Sequence, residues 1–170
     1  LPLSATMRPY FFIARKIFCA SGGKPERSFE ALSRSRVPFG GAEHDWAAVE
    51  IGAWLASAHG LQLQLLGSSG EPQRGKRDAS RSLAVVSLVV QRAAGISAKP
   101  LLVAPGKARM EAARGAGLLV VGLSERWSEE GLGIARLELA RDAAVPTLLV
   151  RKGLRPGGLT PPERMTRYTW

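Results

Sequence analysis

The sequence predicts an α/β protein, a single domain built on a doubly wound, five-stranded parallel sheet of the Rossmann-like type. Two short apolar runs, residues 117–122 and 145–150, have the composition of strands that are buried on both faces. The segment between them has roughly helical apolar spacing from Ile134 to Ala144. Because a βαβ unit is right-handed, the loop after Val121 should lie at the carboxyl edge of the sheet, where open α/β sheets bind ligands.

The first half of the domain alternates strand and helix. Residues 37–41 predict a strand end that runs into a tight glycine turn, and Asp45 is predicted to cap the following helix. An apolar stripe at helical spacing supports that helix: Ala47, Ile51, Trp54, Leu55 and Ala58. Gly60 is the expected helix end, and residues 61–66 alternate as a strand.

The second half continues the same alternation. A helix is predicted from Ala79 to Ala94, capped by Asp78 or Ser80 and closed by Gly95. Residues 99–104 form the next strand, and Pro105-Gly106 turns it into a short helix. The element order from Pro38 is therefore β-α-β-α-β-α-β-α-β, which is typical of a parallel sheet.

The flanks differ from this domain in composition. We expect residues 1–36 to be a poorly ordered basic extension, 37–152 the domain, and 153–170 a basic tail rich in proline and glycine. The segment 34–37, Arg-Ser-Arg-Val, is too polar for a central strand of normal length. Either that strand is very short, or the sequence before Val37 is not native to the domain, and we favour the second. The sequence leaves open whether the chain is a fragment of a longer protein.

Charge and composition exclude several classes of function. The net charge is +10, but residues 37–150 carry twelve basic and eleven acidic residues, so the basicity belongs to the flanks and no nucleic-acid partner is expected. No run approaches the roughly 20 apolar residues of a membrane span. Cys19 is the only cysteine, which fits a reducing cytoplasm. We therefore expect a cytoplasmic domain, which would be membrane-tethered if it belongs to a longer membrane protein.

Three segments together resemble the universal stress protein family. Residues 37–44, Val-Pro-Phe-Gly-Gly-Ala-Glu-His, resemble its opening strand and turn, and 118–124, Leu-Leu-Val-Val-Gly-Leu-Ser, resemble its fourth strand. Residues 131–133 and 140–151 resemble its last loop, helix and strand. The resemblance covers about 37–152. It implies a fold like that of the adenine nucleotide alpha hydrolases, and some members of the family bind ATP.

Six residues form the candidate nucleotide site that this resemblance implies: Pro38, Gly40, Gly122, Ser124, Gly131 and Gly133. Glycines let backbone N–H groups approach phosphate oxygens beside a helix N-terminus. The sequence departs from the family's pattern, in which the third residue after the first glycine is glycine and the last glycine precedes a hydroxyl residue. Glu125 and Ile134 occupy those positions, and Gly40 replaces the acidic residue near the nucleoside. We therefore expect no cofactor, with ATP or AMP as the alternative.

Other residues carry no strong indication of chemistry. His44 and His59 have no metal-ligand spacing around them and are interpreted as capping or surface residues. Trp127 would cover a pocket, contact a partner or pack over the sheet edge. No serine lies in a nucleophile elbow. We expect no catalysis, and weak ATPase activity is the alternative. The leading hypothesis is a regulatory or dimerisation module, of the kind that is appended to the cytoplasmic ends of bacterial cation/proton antiporters.

The last strand is predicted to lie at the edge of the sheet. It includes Val145, Thr147 and Leu149 and has no charged residue before Arg151, so an uncovered edge would promote aggregation. The expected cover is the same strand of a second subunit, which would make the protein a homodimer. The alternative is that the tail after Lys152 folds back over the edge.

Overall fold

The computed structural model describes residues 10–15, 33–70, 77–104, 106–142, 145–152 and 158–159. Its strands are β1 (Tyr10–Arg15), β2 (Arg34–Pro38), β3 (Gln62–Ser68), β4 (Ala98–Val103), β5 (Leu118–Leu123) and β6 (Thr147–Lys152). Its helices are α1 (Glu43–His59), α2 (Ser80–Ala94), α3 (Lys107–Arg114), the single turn α4 (Trp127–Glu130) and α5 (Ile134–Asp142).

The strands form one sheet in the order β1-β6-β5-β2-β3-β4. The five strands from β2 onwards pair in parallel, which confirms the predicted doubly wound α/β fold. The strand order reverses at β2, since β3 and β4 extend the sheet on one side of it and β5 and β6 on the other. The carboxyl ends of β2 and β5 therefore meet at the topological switch point.

The two faces of the sheet bury different clusters of apolar residues. Leu118 and Val120 of β5 pack with α1 and α2, whereas Leu119, Val121 and Leu123 face α3 and α5. This alternation follows from the two-residue period of a strand. We call these surfaces the α1/α2 face and the α3/α5 face.

Helix α1 is buried on most of its surface in its N-terminal half. Trp46, Ala47, Ala48 and Val49 are buried, but Trp54 is 49% exposed. The predicted apolar stripe was therefore wrong at Trp54 and at Ala58, which is also exposed, because the helix is enclosed near its start and emerges towards solvent at its end. Gly60 (φ 64°) and Gly95 (φ 67°) end α1 and α2 as predicted, both in the left-handed conformation.

The polar segment before Val37 belongs to the sheet. Strand β2 begins at Arg34, upstream of the domain boundary predicted at Val37, and both Ser35 and Arg36 are buried. Arg36 donates from Nε to Gln64 Oε1 (2.7 Å) and from Nη1 to the carbonyl of Ala112, in the last turn of α3. A guanidinium at a helix C-terminus is favoured by the helix dipole. The strand tolerates a buried arginine because the guanidinium donates its hydrogen bonds to groups of the same domain.

The prediction that the last strand is an edge strand was wrong. Strand β1 pairs antiparallel with β6 along its length, from Tyr10 opposite Lys152 to Arg15 opposite Thr147. Part of the segment predicted to be a poorly ordered extension is therefore a strand that covers the edge. The physical reason for a dimer through Thr147 and Leu149 disappears with that cover, and dimerisation itself stays a prediction.

The described part of the tail returns to α1. Backbone N–H groups of Gly158 and Leu159 donate to the carboxylate of Glu50 (3.0 and 3.4 Å), and the Leu159 side chain is buried with the α1/α2 core. Glu50 itself is 3% exposed. The rest of the predicted tail, and most of the predicted extension, lie outside the described residues.

Candidate functional site at the switch point

The candidate site lies where β2 and β5 end and where α1 and α5 begin. The turn between β2 and α1, residues 39–42, is organised by one carboxylate. Asp45 is 1% exposed, and its Oδ2 accepts hydrogen bonds from the backbone N–H groups of Gly40 (2.8 Å) and Ala42 (3.2 Å). Asp45 lies in the first turn of α1, where a negative charge is stabilised by the helix dipole. The N–H groups of the turn therefore already bind an anion, the carboxylate of Asp45.

An arginine from α5 completes this arrangement. Nη2 of Arg136 lies 3.0 Å from Asp45 Oδ1 and 2.8 Å from His44 Nε2. The Arg136–Asp45 pair joins residues that are 91 positions apart, and it ties the start of α5 to the start of α1. One partner is fully buried, so removal of Arg136 would leave an unpaired charge in the interior.

His44 is neutral in this arrangement. Burial lowers the pKa of His44 below its ordinary value of 6.5, and the neighbouring Arg136 lowers it further, while the pKa is raised by Asp45 and Glu43. Because Arg136 is always a donor, His44 Nε2 must accept, which places the imidazole proton on Nδ1. His44 was predicted to be a capping or surface residue; it is instead a hydrogen-bonded member of the cluster of His44, Asp45 and Arg136.

Gly122, the first glycine of the predicted phosphate loop, lies directly beneath α1. A Cβ atom at this position would lie 2.2 Å from the carbonyl oxygen of His44 and 3.0 Å from the backbone nitrogen of Asp45. No side chain fits there without a shift of the helix backbone. Gly122 therefore has a packing role that is independent of any phosphate.

The other predicted site residues are distributed around this point. Pro38 lines a pocket, and the Gly40 N–H is engaged by Asp45. The Ser124 carbonyl accepts from the N–H of Trp127 at the turn into α4. Gly131 (φ 72°) and Gly133 (φ 73°) are left-handed and have open space around them before α5. The structure thus brings Pro38, Gly40 and Gly122 to the switch point and leaves Gly131 and Gly133 in the loop that enters α5.

The pocket beside Pro38 opens on the α3/α5 face. Its walls are mainly apolar, with a guanidinium from each of two helices: Pro38, Leu66, Val103, Arg109, Ala135, Arg136 and Leu139. The cavity is small, about 40 Å³. Arg109 lies 3.4 Å from Glu138, so both arginines already have carboxylate neighbours.

The loop after β5 is acidic and partly helical. Glu129 and Glu130 lie in α4, and Glu125 precedes it. Arg126 pairs with Glu130 at 2.9 Å in an exposed i,i+4 contact, which contributes little stability. Trp127 packs against the apolar cluster of the α3/α5 face, as expected from its predicted packing over the sheet edge. The loop keeps an excess of negative charge where a phosphate would lie.

Sequence reasoning missed Arg136 and the buried state of Asp45. The acidic residue three positions after Ala42 does indicate a carboxylate that reaches back to the N-cap. Nothing in the local sequence around Arg136 indicates its partner, since the two residues meet only through the sheet topology. Among the described residues, no group of His, Cys, Asp and Glu could hold a metal ion. Within the described ranges, no helix combines the length and apolar character of a membrane span.

Comparison with solved structures identifies the fold. A universal stress protein from Archaeoglobus fulgidus superposes with a TM-score of 0.56 at 15% identity, covering 69% of this chain and 97% of that one. This chain has a universal-stress-protein-like fold. A member of the universal stress protein family from Burkholderia pseudomallei is similar over 69% of this chain and 95% of that one, with 22% identity and a TM-score of 0.49. No protein-family model and no curated protein matches the sequence.

Proposed function

We propose that this chain is a non-catalytic regulatory module with a universal-stress-protein-like fold, in which the nucleotide position is degenerate. The observation that carries the proposal is the Arg136–Asp45 ion pair across the switch point. The Asp45 carboxylate accepts from Arg136 Nη2 and from the turn N–H groups of Gly40 and Ala42, so these donors are engaged by a residue of the protein itself. An incoming phosphate would have to compete with a buried carboxylate that is already paired.

The loop chemistry supports the same proposal. Backbone N–H groups and cations attract phosphates, whereas this loop supplies Glu125, Glu129 and Glu130. The pocket beside Pro38 is also small, about 40 Å³. A regulatory role through contacts with other protein segments fits these features better than a nucleotide-driven one.

The alternative is a nucleotide sensor or weak ATPase, and calorimetric titration with ATP and AMP separates the two. If the proposal is right, the titration shows no saturable heat up to about millimolar nucleotide, with or without magnesium. A Kd of 1 mM corresponds to a binding free energy of about −4 kcal/mol. Phosphate release should not exceed that of a buffer control.

A matched pair of variants on α5 sharpens this test. Arg136→Gln removes the cation at the switch point, and Arg141→Gln removes an exposed cation farther along the same helix. Saturable ATP binding by the wild type that is lost in Arg136→Gln and kept in Arg141→Gln would overturn the proposal. It would show that Arg136 serves a phosphate rather than Asp45.

A more specific part of the proposal concerns the longer protein to which the module would belong. We place the module at the cytoplasmic end of a cation/proton antiporter, on the resemblance described above. The test is the reading frame from which the chain derives, together with its membrane association in fractionated cells. Hydrophobic spans encoded upstream in the same frame would support the assignment, and a frame without such spans would contradict it.

A further inference from the structure

The α3/α5 face of the sheet is only partly covered. Helix α3 has eight residues, of which Ala113 alone is buried. On this face, the strands on the β3–β4 side expose Gln62 and Lys99, while Leu101 and Val103 are half-buried. Parallel sheets normally have both faces covered by helices. In the part of the chain that the structure describes, the amino-terminal end of this face is therefore exposed at Arg34, Gln62 and Lys99.

The strand registers show which residues share this surface. Arg36 lies opposite Gln64 and Leu119, and Gln64 lies opposite Lys99, so these side chains form one row across the sheet. Arg34 lies opposite Gln62 in the preceding row. Leu119 belongs to the apolar cluster of the α3/α5 face, which places both rows on that side. We call this surface, formed by the exposed Arg34, Gln62 and Lys99 and the buried Arg36 and Gln64, the cationic sheet face.

The buried part of the cationic sheet face is held in place by hydrogen bonds. Arg36 donates to Gln64, and Gln64 Nε2 donates in turn to Gln62 Oε1 at 2.8 Å. The same arginine is anchored at the end of α3 through Ala112. Its guanidinium has no carboxylate partner among the described residues. The surface therefore combines a fixed positive charge at Arg36 with the exposed charges of Arg34 and Lys99.

The charge of this region is uncompensated by its own elements. Strands β2, β3 and β4 carry three basic residues, Arg34, Arg36 and Lys99, and no acidic residue, whereas in helix α3 Arg109 is paired with Glu138 of α5. Neither Arg34 nor Lys99 makes an ion pair with a described residue. A second copy of the same face would meet it with like charge, which costs association energy. The same four elements contain no aromatic residue on which nucleic-acid bases could stack.

We propose that the cationic sheet face is a docking surface for an acidic segment of a partner protein. The open rows of the sheet supply the area, and Arg34, Lys99 and Arg36 supply complementary charge. Gln62 adds an exposed amide, whose Oε1 accepts a hydrogen bond from the buried Gln64. This surface is separate from the Arg136–Asp45 pair, so the proposal does not depend on whether the chain binds a nucleotide.

Fluorescence anisotropy with a fluorescein-labelled oligoglutamate peptide tests this proposal. The double variant Arg34→Glu/Lys99→Glu reverses the two exposed charges of the face. Arg81→Glu/Arg92→Glu makes the same change in net charge at exposed positions of α2, on the opposite side of the sheet. We expect the first pair to raise the Kd about tenfold or more and the second pair less than about threefold, because local complementarity outweighs net charge.

Two results would overturn the proposal. Equal weakening by both double variants would mean that the peptide senses only the net charge of the chain, and no saturable binding by the wild type would mean that the face does not bind an acidic segment. Binding of an oligouridylate that is tighter than peptide binding, and is lost in Arg34→Glu/Lys99→Glu, would make the face a nucleic-acid surface instead. Thermal melting shows whether each variant is folded. Because the substituted positions are exposed, we expect the melting temperature of every variant to stay close to that of the wild type.

Discussion

The two faces of the sheet are built differently. On the α1/α2 face, the helices lie against the backbone of the strands, and the apolar cluster includes residues from α1, α2 and most strands. On the α3/α5 face, the cluster is smaller, and its neighbours are a small pocket and an open, positively charged surface. The comparison indicates that one face supplies most of the stability and the other supplies the surfaces that are free to bind.

Glycines show the contrast most directly. Gly122 faces backbone atoms of α1, whereas Gly115 faces the guanidinium of Arg36, with Nη1 2.6 Å from the position of a Cβ. The backbone of α1 can move only if the whole helix moves, whereas the end of the Arg36 side chain can move by itself. The α1/α2 face should therefore tolerate added atoms less well than the α3/α5 face.

The largest effect is expected from Gly122→Ala. A Cβ that approaches the His44 carbonyl to 2.2 Å forces α1 away from β5, and such overpacking costs about 3 kcal/mol or more. Gly115→Ala, at φ −75°, has no backbone strain and displaces only Arg36, at a cost of about 1–2 kcal/mol. Urea unfolding of both variants measures the difference. Equal losses would contradict the contrast between the faces.

A second pair of variants compares the two faces of the sheet at neighbouring positions of one strand. Val120 and Val121 are adjacent in β5, both are fully buried, and they point to opposite faces. Replacement by alanine removes the same atoms from each. We expect Val120→Ala to cost about 2–3 kcal/mol and Val121→Ala about 1–2 kcal/mol, because the smaller cluster near the pocket can relax into the space. A larger loss for Val121→Ala would show that the α3/α5 face is the more rigid one.

Local sequence patterns predicted the strands and helices that bury apolar side chains. Strands β5 and β6, and the helix ends at Gly60 and Gly95, follow from apolar runs and from left-handed glycine positions. These features depend on neighbours in the sequence. They can therefore be recognised without knowledge of the fold.

Features that depend on distant partners were not predicted. Strand β2 was mistaken for sequence foreign to the domain, because Arg36 is satisfied by Gln64 and Ala112, which are remote in the sequence. The pairing of β1 with β6 and the Arg136–Asp45 contact likewise arise only when the sheet is assembled. In the candidate site, the glycines were found, but the side chains that fill the site were not.

The smallest expected effect is a dependence of stability on pH where the two faces meet, at His44. Burial lowers the pKa of His44 in the folded state below the ordinary 6.5. Just below pH 6.5 the unfolded chain therefore binds more protons than the folded one, and the free energy of unfolding falls as the pH falls. The loss begins near the unfolded pKa and ends at the folded one, with a slope of at most about 1.4 kcal/mol per pH unit. Protonation also removes the acceptor for Arg136, so both effects have the same sign.

Urea unfolding of the wild type and of His44→Gln between about pH 7 and pH 5 measures this contribution. The glutamine keeps an acceptor for Arg136 but does not titrate in this range, so the variant should lose the part of the pH dependence that belongs to His44. His59 and the carboxylates are present in both proteins and cancel in the comparison. Because Asp45 and Glu43 oppose the effect of burial, we expect the two curves to separate by less than about 1 kcal/mol at the acidic end. Parallel curves would mean that the junction of α1 and α5 does not respond to protonation, and that the two faces are joined there by the Arg136–Asp45 pair alone.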